Sequence, residues 1–276
     1  MKRLLFFGLL SFVVGAVSAQ GVKVHVGATS AVNATFVLDK GLTDDPRYNS
    51  TLTYNFAPIG FNFGVDLSRK FGISLEGIKS AQGQIYQLLD VAKNVKGERR
   101  IDLEYIQLPL MLRFMSGGDA AARANFNLGP QMSFLTDARE SIQAGAGTYA
   151  IPEGMDLASI QAEFPTATAG AQPGTYTLDS DVPSRDLLTK EARNFRNSEF
   201  SLAAAFGVDI DLSRHLYLTT QIRANYSLTD MRNGEVIDRV RAGEGGSLFG
   251  ERANVLVGVQ LGLHWMFGTT RSFQNR

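Results

Sequence analysis

The stretch VLVGVQLGLHWMF, residues 255–267, decides the fold because its side chains alternate between two different faces. One face carries only large apolar residues, from Val255 to Phe267, and the other includes Gly258, Gln260 and His264. A period of two is typical of a β-strand whose faces meet different surroundings. A tilted strand needs about 9–11 residues to cross a bilayer, and this stretch is long enough to do so.

Seven further segments repeat the alternation, so the sequence predicts eight strands. They lie at about 22–29, 59–67, 71–75, 106–114, 126–134, 200–212 and 216–228. The connections alternate in length. The short ones are 68–70, 115–123 and 213–215, and the long ones are 39–55, 83–100, 136–197 and 229–252. Short periplasmic turns and long outer loops are typical of barrels in the bacterial outer membrane.

Aromatic side chains gather at the strand ends on the apolar faces. The predicted girdle at the turn end is Phe71, Phe114, Phe126, Trp265 and Phe267. Aromatic rings favour the boundary between hydrocarbon and water. We therefore predict an all-β fold, an eight-stranded antiparallel up-and-down transmembrane barrel that forms one domain over residues 20–276. The alternation alone leaves open a soluble secreted barrel that binds a small ligand.

The first residues predict export through a signal peptide. Lys2 and Arg3 precede an apolar run, and small residues follow it, so we expect residues 1–19 to be removed between Ala19 and Gln20. The chain holds 27 basic and 27 acidic residues, which argues against a nucleic-acid partner. It contains no cysteine, and this excludes disulfides and thiolate metal sites.

The inward faces of the predicted strands carry charges, namely Asp66, Glu76, Arg113, Asp209 and Arg223. The interior of an eight-stranded barrel is only wide enough for its own side chains. Buried charges also need partners. We therefore expect a structural network of ion pairs and hydrogen bonds, with a proton or ion path as the alternative. No catalytic residue, cofactor or metal site is predicted.

The three histidines bear on an enzymatic alternative, a barrel that modifies lipid in the outer leaflet. His25 and His264 lie near predicted periplasmic strand ends, and His215 lies in a predicted periplasmic turn. A hydroxyl nucleophile needs its base within hydrogen-bond reach, and no histidine is expected at the outer rim. The sequence therefore favours a non-enzymatic protein.

Two stretches of sequence carry a family resemblance. SLEGIKSAQG at 74–83 is followed by LEYIQLPLMLRF at 103–114, and NLGP follows at 127–130. This text resembles the PorT-like outer-membrane β-barrel family of the Bacteroidetes group, which has a Glu-containing strand, a turn and a Tyr-x-x-x-Pro-Leu type strand. One branch of that family is linked to type IX secretion. The motifs are structural, so the resemblance implies the fold and the location, and a role in protein export is one option among several.

The loop 136–197 is the remaining candidate for function, since loops of this length are usually functional or disordered. Within it, Met155–Phe164 and Arg185–Phe195 are expected to form helical turns. The expected partners are outer-membrane lipid, the barrel-assembly machinery and, through this loop, other secretion or surface proteins. The hypothesis is thus a membrane scaffold or part of an export or surface-binding assembly.

Overall fold

The computed structural model of the protein describes residues 22–242, 250–268 and 270. The predicted cleavage site at Ala19 and Gln20 lies outside these residues. The elements in chain order are β1 (Lys23–Asp39), α1 (Lys40–Asp44), β2 (Tyr48–Thr51), β3 (Thr53–Asp66), β4 (Phe71–Leu89), β5 (Val95–Met115), β6 (Ala122–Ala144), β7 (Gly147–Ala150), α2 (Leu157–Glu163), β8 (Thr168–Ala169), β9 (Thr175–Leu178), β10 (Val182–Thr189), β11 (Ser198–Asp211), β12 (Leu216–Ser227), α3 (Gly234–Arg241) and β13 (Arg252–Phe267).

Eight of these strands form a closed antiparallel ring in the order β1, β3, β4, β5, β6, β11, β12 and β13. The last strand pairs back with the first along its whole length, from Val24–Phe267 to Asp39–Arg252. Closure pairs the first strand with the last, so neither of them remains an open edge in the hydrocarbon. The predicted eight-stranded barrel is therefore confirmed. None of the helices in the described ranges is long and apolar enough to cross a membrane.

The side chains of the ring alternate as the sequence predicts. On β13, Val259, Leu261 and Leu263 are about half exposed on the outside, while Gln260 and His264 are buried in the lumen. The part of the ring nearer the short turns thus presents apolar residues outward and polar residues inward. This arrangement suits a wall that stands in lipid and encloses a polar interior.

The predicted loop 83–100 is wrong, because β4 continues to Leu89 and β5 begins at Val95. The apolar residues change faces along β5. Ile101 and Leu103 point inward, whereas Ile106 and Leu108 point outward. Above the membrane the outer face meets water and the inner face covers an apolar core, so the same strand continues with its pattern inverted. The sequence prediction followed apolar residues on the lipid-facing side only, so the predicted strands end where the apolar residues change to the inner face.

The predicted loop 136–197 also starts too early, since β6 runs to Ala144. A bulge opposite Glu104 and Tyr105 lets β6 turn its apolar residues inward beyond this point. The rest of the loop is ordered: β7, β9 and β8 form a small sheet, and β10 pairs with β6. The first expected helical turn contains α2. The second, Arg185–Phe195, is wrong because its first half is β10.

One seam of the wall is irregular. The ladder between β3 and β4 ends at the pair formed by Phe61 and Gly77, and the rest of β3 pairs with β1 alone. Pro58 lies in this stretch. Proline has no amide hydrogen to donate, and no ladder forms here on the side of β3 that faces β4, so no hydrogen bond is lost on that side. Behind the seam, Thr35 of β1 donates a hydrogen bond directly to the carbonyl of Gly83 on β4 at 3.0 Å. Side chains thus complete the wall where the ladder is interrupted.

Gly129 tests the close approach of β5 and β6, because a Cβ atom there would overlap the carbonyl oxygen of Leu110. We expect Gly129→Ala to cost about 1–3 kcal/mol in unfolding free energy, since the backbone must move. The matched control is Gly77→Ala, whose nearest neighbour would be Leu108 Cδ2 at 3.8 Å and which should be neutral or stabilising by up to about 1 kcal/mol. The urea concentration at which half of each variant loses its folded, heat-modifiable gel band measures the change in stability for both variants. Equal midpoints for the two variants would contradict the packing described here.

Candidate functional site

The lower layer of the lumen is built around Arg113. Its Nη1 donates to Asp66 Oδ1 at 3.2 Å and its Nη2 donates to Asp209 Oδ2 at 3.1 Å. It also contacts Nε2 of His25. Four strands therefore meet at one guanidinium, and both carboxylates that accept from it are buried. A buried charge of this kind is tolerated because its partners lie within hydrogen-bond distance.

The middle layer joins Glu76 to Arg223 across the lumen. Arg223 Nη1 donates to Glu76 Oε2 at 2.8 Å, and Nη2 donates to Gln131 Oε1 at 2.8 Å. Glu76 also accepts from Asn62 at 3.1 Å and from Gln260 at 3.3 Å. The structure thus places the five predicted lumen charges in two layers. The amides that complete them were visible in the sequence only as polar residues on inward faces.

A small cavity of about 20 Å³ lies between the two layers. It is lined by Glu76, Arg113 and Asp209 together with His25 and His264. A volume of roughly 10–15 Å³ holds one ordered water, so this space suits about one water and is too small for an organic substrate. Other side chains of the described lumen are packed tightly, and Tyr217 and Met266 are almost fully buried.

An upper layer of charges closes the outer end of the lumen, and sequence reasoning missed it. Glu140 accepts from Arg99 Nε at 2.6 Å and also from Arg252, which in turn pairs with Asp39. Arg99 Nη1 reaches Glu163 Oε1 at 3.2 Å. These residues come from all four segments that were predicted as long loops. No pattern within any one of these four segments indicates that their charged residues meet. They come together only in the folded structure.

A folded cap lies above this layer. Its apolar core combines the inward faces of β4 and β5 with residues of the long loop, including Ile160, Phe164 and Tyr176. The ring of Tyr176 stacks on those of Tyr149 and Phe164, with centroids 5.3 and 6.1 Å apart. Burial raises the pKa of Tyr149 to about 12, so its hydroxyl keeps its proton and donates to the carbonyl of Gly145 at 2.6 Å.

One stretch of the cap, Leu157–Leu178, presents no charge on its surface, and we call it the apex. Between Leu157 and Leu178 the only charged residue is Glu163, and it is buried against Arg47 and Arg99. The exposed residues of this apex are all uncharged, namely Ala158, Gln161, Ala162, Pro165, Thr166, Thr168, Ala169, Ala171, Gln172, Pro173 and Gly174. Charged residues make up 20% of the whole chain, so the apex differs clearly from the rest of the sequence.

The remaining predicted residues lie at the periplasmic end. The girdle residues are on the outer surface, where the ring of Phe114 lies 5.6 Å from that of Phe71 and 6.3 Å from that of Phe126. Trp265 stacks on His215 at 5.3 Å, and Phe267 is exposed beside them. The other two histidines are buried in the lower lumen, so all three lie at the end opposite the cap.

An antiparallel ring with an apolar exterior and a filled polar interior defines an integral β-barrel of the bacterial outer membrane. The sequence agrees with this class. Residues 18–233 match the family described as outer membrane protein beta-barrel domain, and the chain belongs to that family. A search of curated proteins finds no significant match.

Several solved barrels are similar in structure. OprG from Pseudomonas aeruginosa shares 12% identity, with 90% of this chain and 95% of that chain covered and a TM-score of 0.39. Ail from Yersinia pestis, solved with the heparin analogue sucrose octasulfate, shares 11%, with 89% and 99% covered and a TM-score of 0.36. The outer membrane protease OmpT from Escherichia coli shares 11%, with 89% and 96% covered and a TM-score of 0.36. Similarity at this level assigns no function to the chain.

The middle layer gives a direct test of the lumen as a structural network. Arg223→Ala leaves the carboxylate of Glu76 buried without its cation, so we expect a loss of about 3–5 kcal/mol in unfolding free energy. Adding Glu76→Gln should recover part of that loss. The control is Arg100→Ala, which breaks an exposed pair with Asp102 and should cost at most about 1 kcal/mol. The measurement is the urea midpoint of the folded gel band, and a loss no larger than the control's would count against the network.

Proposed function

We propose that this protein is a non-enzymatic outer-membrane barrel whose rigid cap binds a partner protein at the cell surface. The observation that carries the proposal is the charge-free apex, Leu157–Leu178, on an ordered cap. Fully buried cores of protein interfaces are depleted of charged residues. The chain as a whole is 20% charged, so a surface stretch of this length without exposed charge resembles an interface core more than the rest of the chain.

The rigidity of the apex supports the proposal, because a pre-ordered surface loses little conformational entropy on binding. Helix α2 begins at a capping aspartate, Asp156, which accepts from the amide of Ser159 at 2.8 Å. Hydrogen bonds from Ser159 also hold the pKa of Asp156 below its usual value. At its other end, Glu163 ties the helix to the buried arginines of the upper layer.

The placement of titratable groups favours a non-enzymatic role. The histidines lie at the periplasmic end, far from the outer leaflet where a lipid-modifying enzyme would act. The lumen charges are engaged with one another and enclose room for about one water. A base held in this way has no access to a lipid or peptide substrate.

A second candidate is a role in protein export. It is supported by the resemblance of residues 74–83, 103–114 and 127–130 to the PorT-like family. A barrel whose own lumen is filled would act there as a membrane scaffold for other export components. We expect a deletion strain to lose secreted cargo while its outer membrane stays intact. An unchanged profile of secreted proteins would exclude this candidate and leave the binding role standing.

Charges placed on the apex test the binding role. Ala158→Glu with Ala169→Glu introduces two carboxylates on exposed positions, which a partner would have to desolvate. We expect at least a tenfold loss of the complex seen on native gels of solubilised membranes, or about 1.4 kcal/mol. The control is Ser180→Glu, an exposed site between Asp179 and Asp181.

Each variant must first show the heat-dependent gel shift of a folded barrel. A complex that stays intact in the folded apex variant would contradict the proposed function. A complex that is lost equally in Ser180→Glu would show that the effect is not specific to the apex.

A further inference from the structure

A groove of about 650 Å³ lies on the outer wall where β10 leads into β11. Three cations line it, Lys190, Arg193 and Arg196, with Glu191 as the one acid among its lining residues. The other lining residues are Phe195, Asn197, Ser198 and Asn233. The groove therefore carries a net positive charge. It is separate from the apex, and its argument does not depend on the proposed function.

The β-sheet register shows where the groove lies relative to the membrane. Ser198 pairs with Phe134, and Phe200 follows two positions further along β11. Both phenylalanines are exposed apolar residues at the outer end of the membrane band. The amine of Lys190 donates to the carbonyl of Thr136 at 2.5 Å, two residues beyond Phe134. The cations thus lie immediately outside the hydrocarbon, at the depth of the lipid headgroups.

The lack of carboxylate partners distinguishes these cations from others on the same outer wall. Lys79 pairs with Glu104 at 2.8 Å, Arg100 pairs with Asp102 at 2.9 Å, and Arg139 pairs with Asp186 at 3.6 Å. Within the described ranges, none of the three groove cations forms an ion pair with a carboxylate. Their charge is therefore available to a ligand, whereas that of the paired cations is already neutralised.

The segment that carries the cations is a turn held by its own hydrogen bonds. The amide of Arg193 donates to the carbonyl of Lys190 at 2.9 Å, and Arg193 adopts a positive φ of 57°. Asn194 closes the turn through bonds to Thr189 at 3.1 and 3.2 Å. A non-glycine residue adopts the left-handed region only where the surrounding structure holds it there. The surrounding hydrogen bonds hold that conformation and so keep the cations on one side of the turn.

We infer that this groove binds the phosphate group of a phosphorylated glycolipid in the outer leaflet. Arginine forks match phosphate oxygens in a bidentate manner, and a lysine adds a point charge. The two phenylalanines directly below the groove would contact the acyl chains of the same lipid. A free phosphate offers the same anion without chains, so it would use the cations and leave this apolar surface empty.

The test uses the full-length protein in nanodiscs and purified lipid A as the probe. We expect Lys190→Gln with Arg193→Gln and Arg196→Gln to weaken lipid A binding at least tenfold. The matched control is Lys79→Gln with Arg100→Gln and Arg139→Gln, which removes the same number of outward cations and should change binding less than twofold. Native mass spectrometry counts the bound lipid, and the heat-dependent gel shift verifies that each variant is folded.

Two further arms identify the ligand. Dephosphorylated lipid A should bind the unaltered protein at least tenfold more weakly, and rising salt should weaken the phosphorylated form because the charges are near the surface. Equal binding of the two lipids, or equal losses in both triple variants, would overturn the inference. Displacement of bound lipid A by inorganic phosphate at an equal concentration would assign the groove to the free anion and overturn the lipid assignment.

Discussion

The structure depends on one constraint, that no backbone hydrogen-bonding group can stay unpaired in hydrocarbon. It requires β13 to pair with β1, and this pairing closes the eight strands into a ring. A ring of that size leaves an interior only as wide as its side chains. The inward charges must therefore find their partners within the chain, and the layers around Arg113 and Arg223 are the result.

The same strands pass from the hydrocarbon of the membrane into water. Within the membrane their apolar residues face outward, and beyond it the pattern inverts so that Ile101 and Leu103 face inward. The inverted part is an ordinary water-soluble core, closed by Tyr176 and its neighbours. The charges of Arg99, Glu140 and Arg252 lie at the boundary. They tie the cap to the barrel, so the cap is a continuation of the wall and not an independent loop.

Local pattern predicted much of the fold and of the lower lumen. The alternation around Val259 and the inward positions of Glu76 and Arg223 depend only on strand period, which the sequence displays directly. The cap was not predicted, because its strands extend past the point where the lipid-facing pattern ends. The upper charges were missed for a different reason: residues as distant as Asp39 and Arg252 meet only once the ring has closed. Contacts of that kind follow from the topology of the closed ring, and a short stretch of sequence does not reveal them.

The central claim is that the cap is as ordered as the wall. Amide hydrogen exchange of the protein in lipid nanodiscs tests it most directly. Amides of Ile101–Leu103 in the cap wall and of Tyr176 in the long loop should be protected to a degree approaching that of Leu108–Leu112 in the membrane, because the same cooperative unit holds them. Exchange of the cap amides at the rate of an open loop, beside a protected wall, would contradict the account.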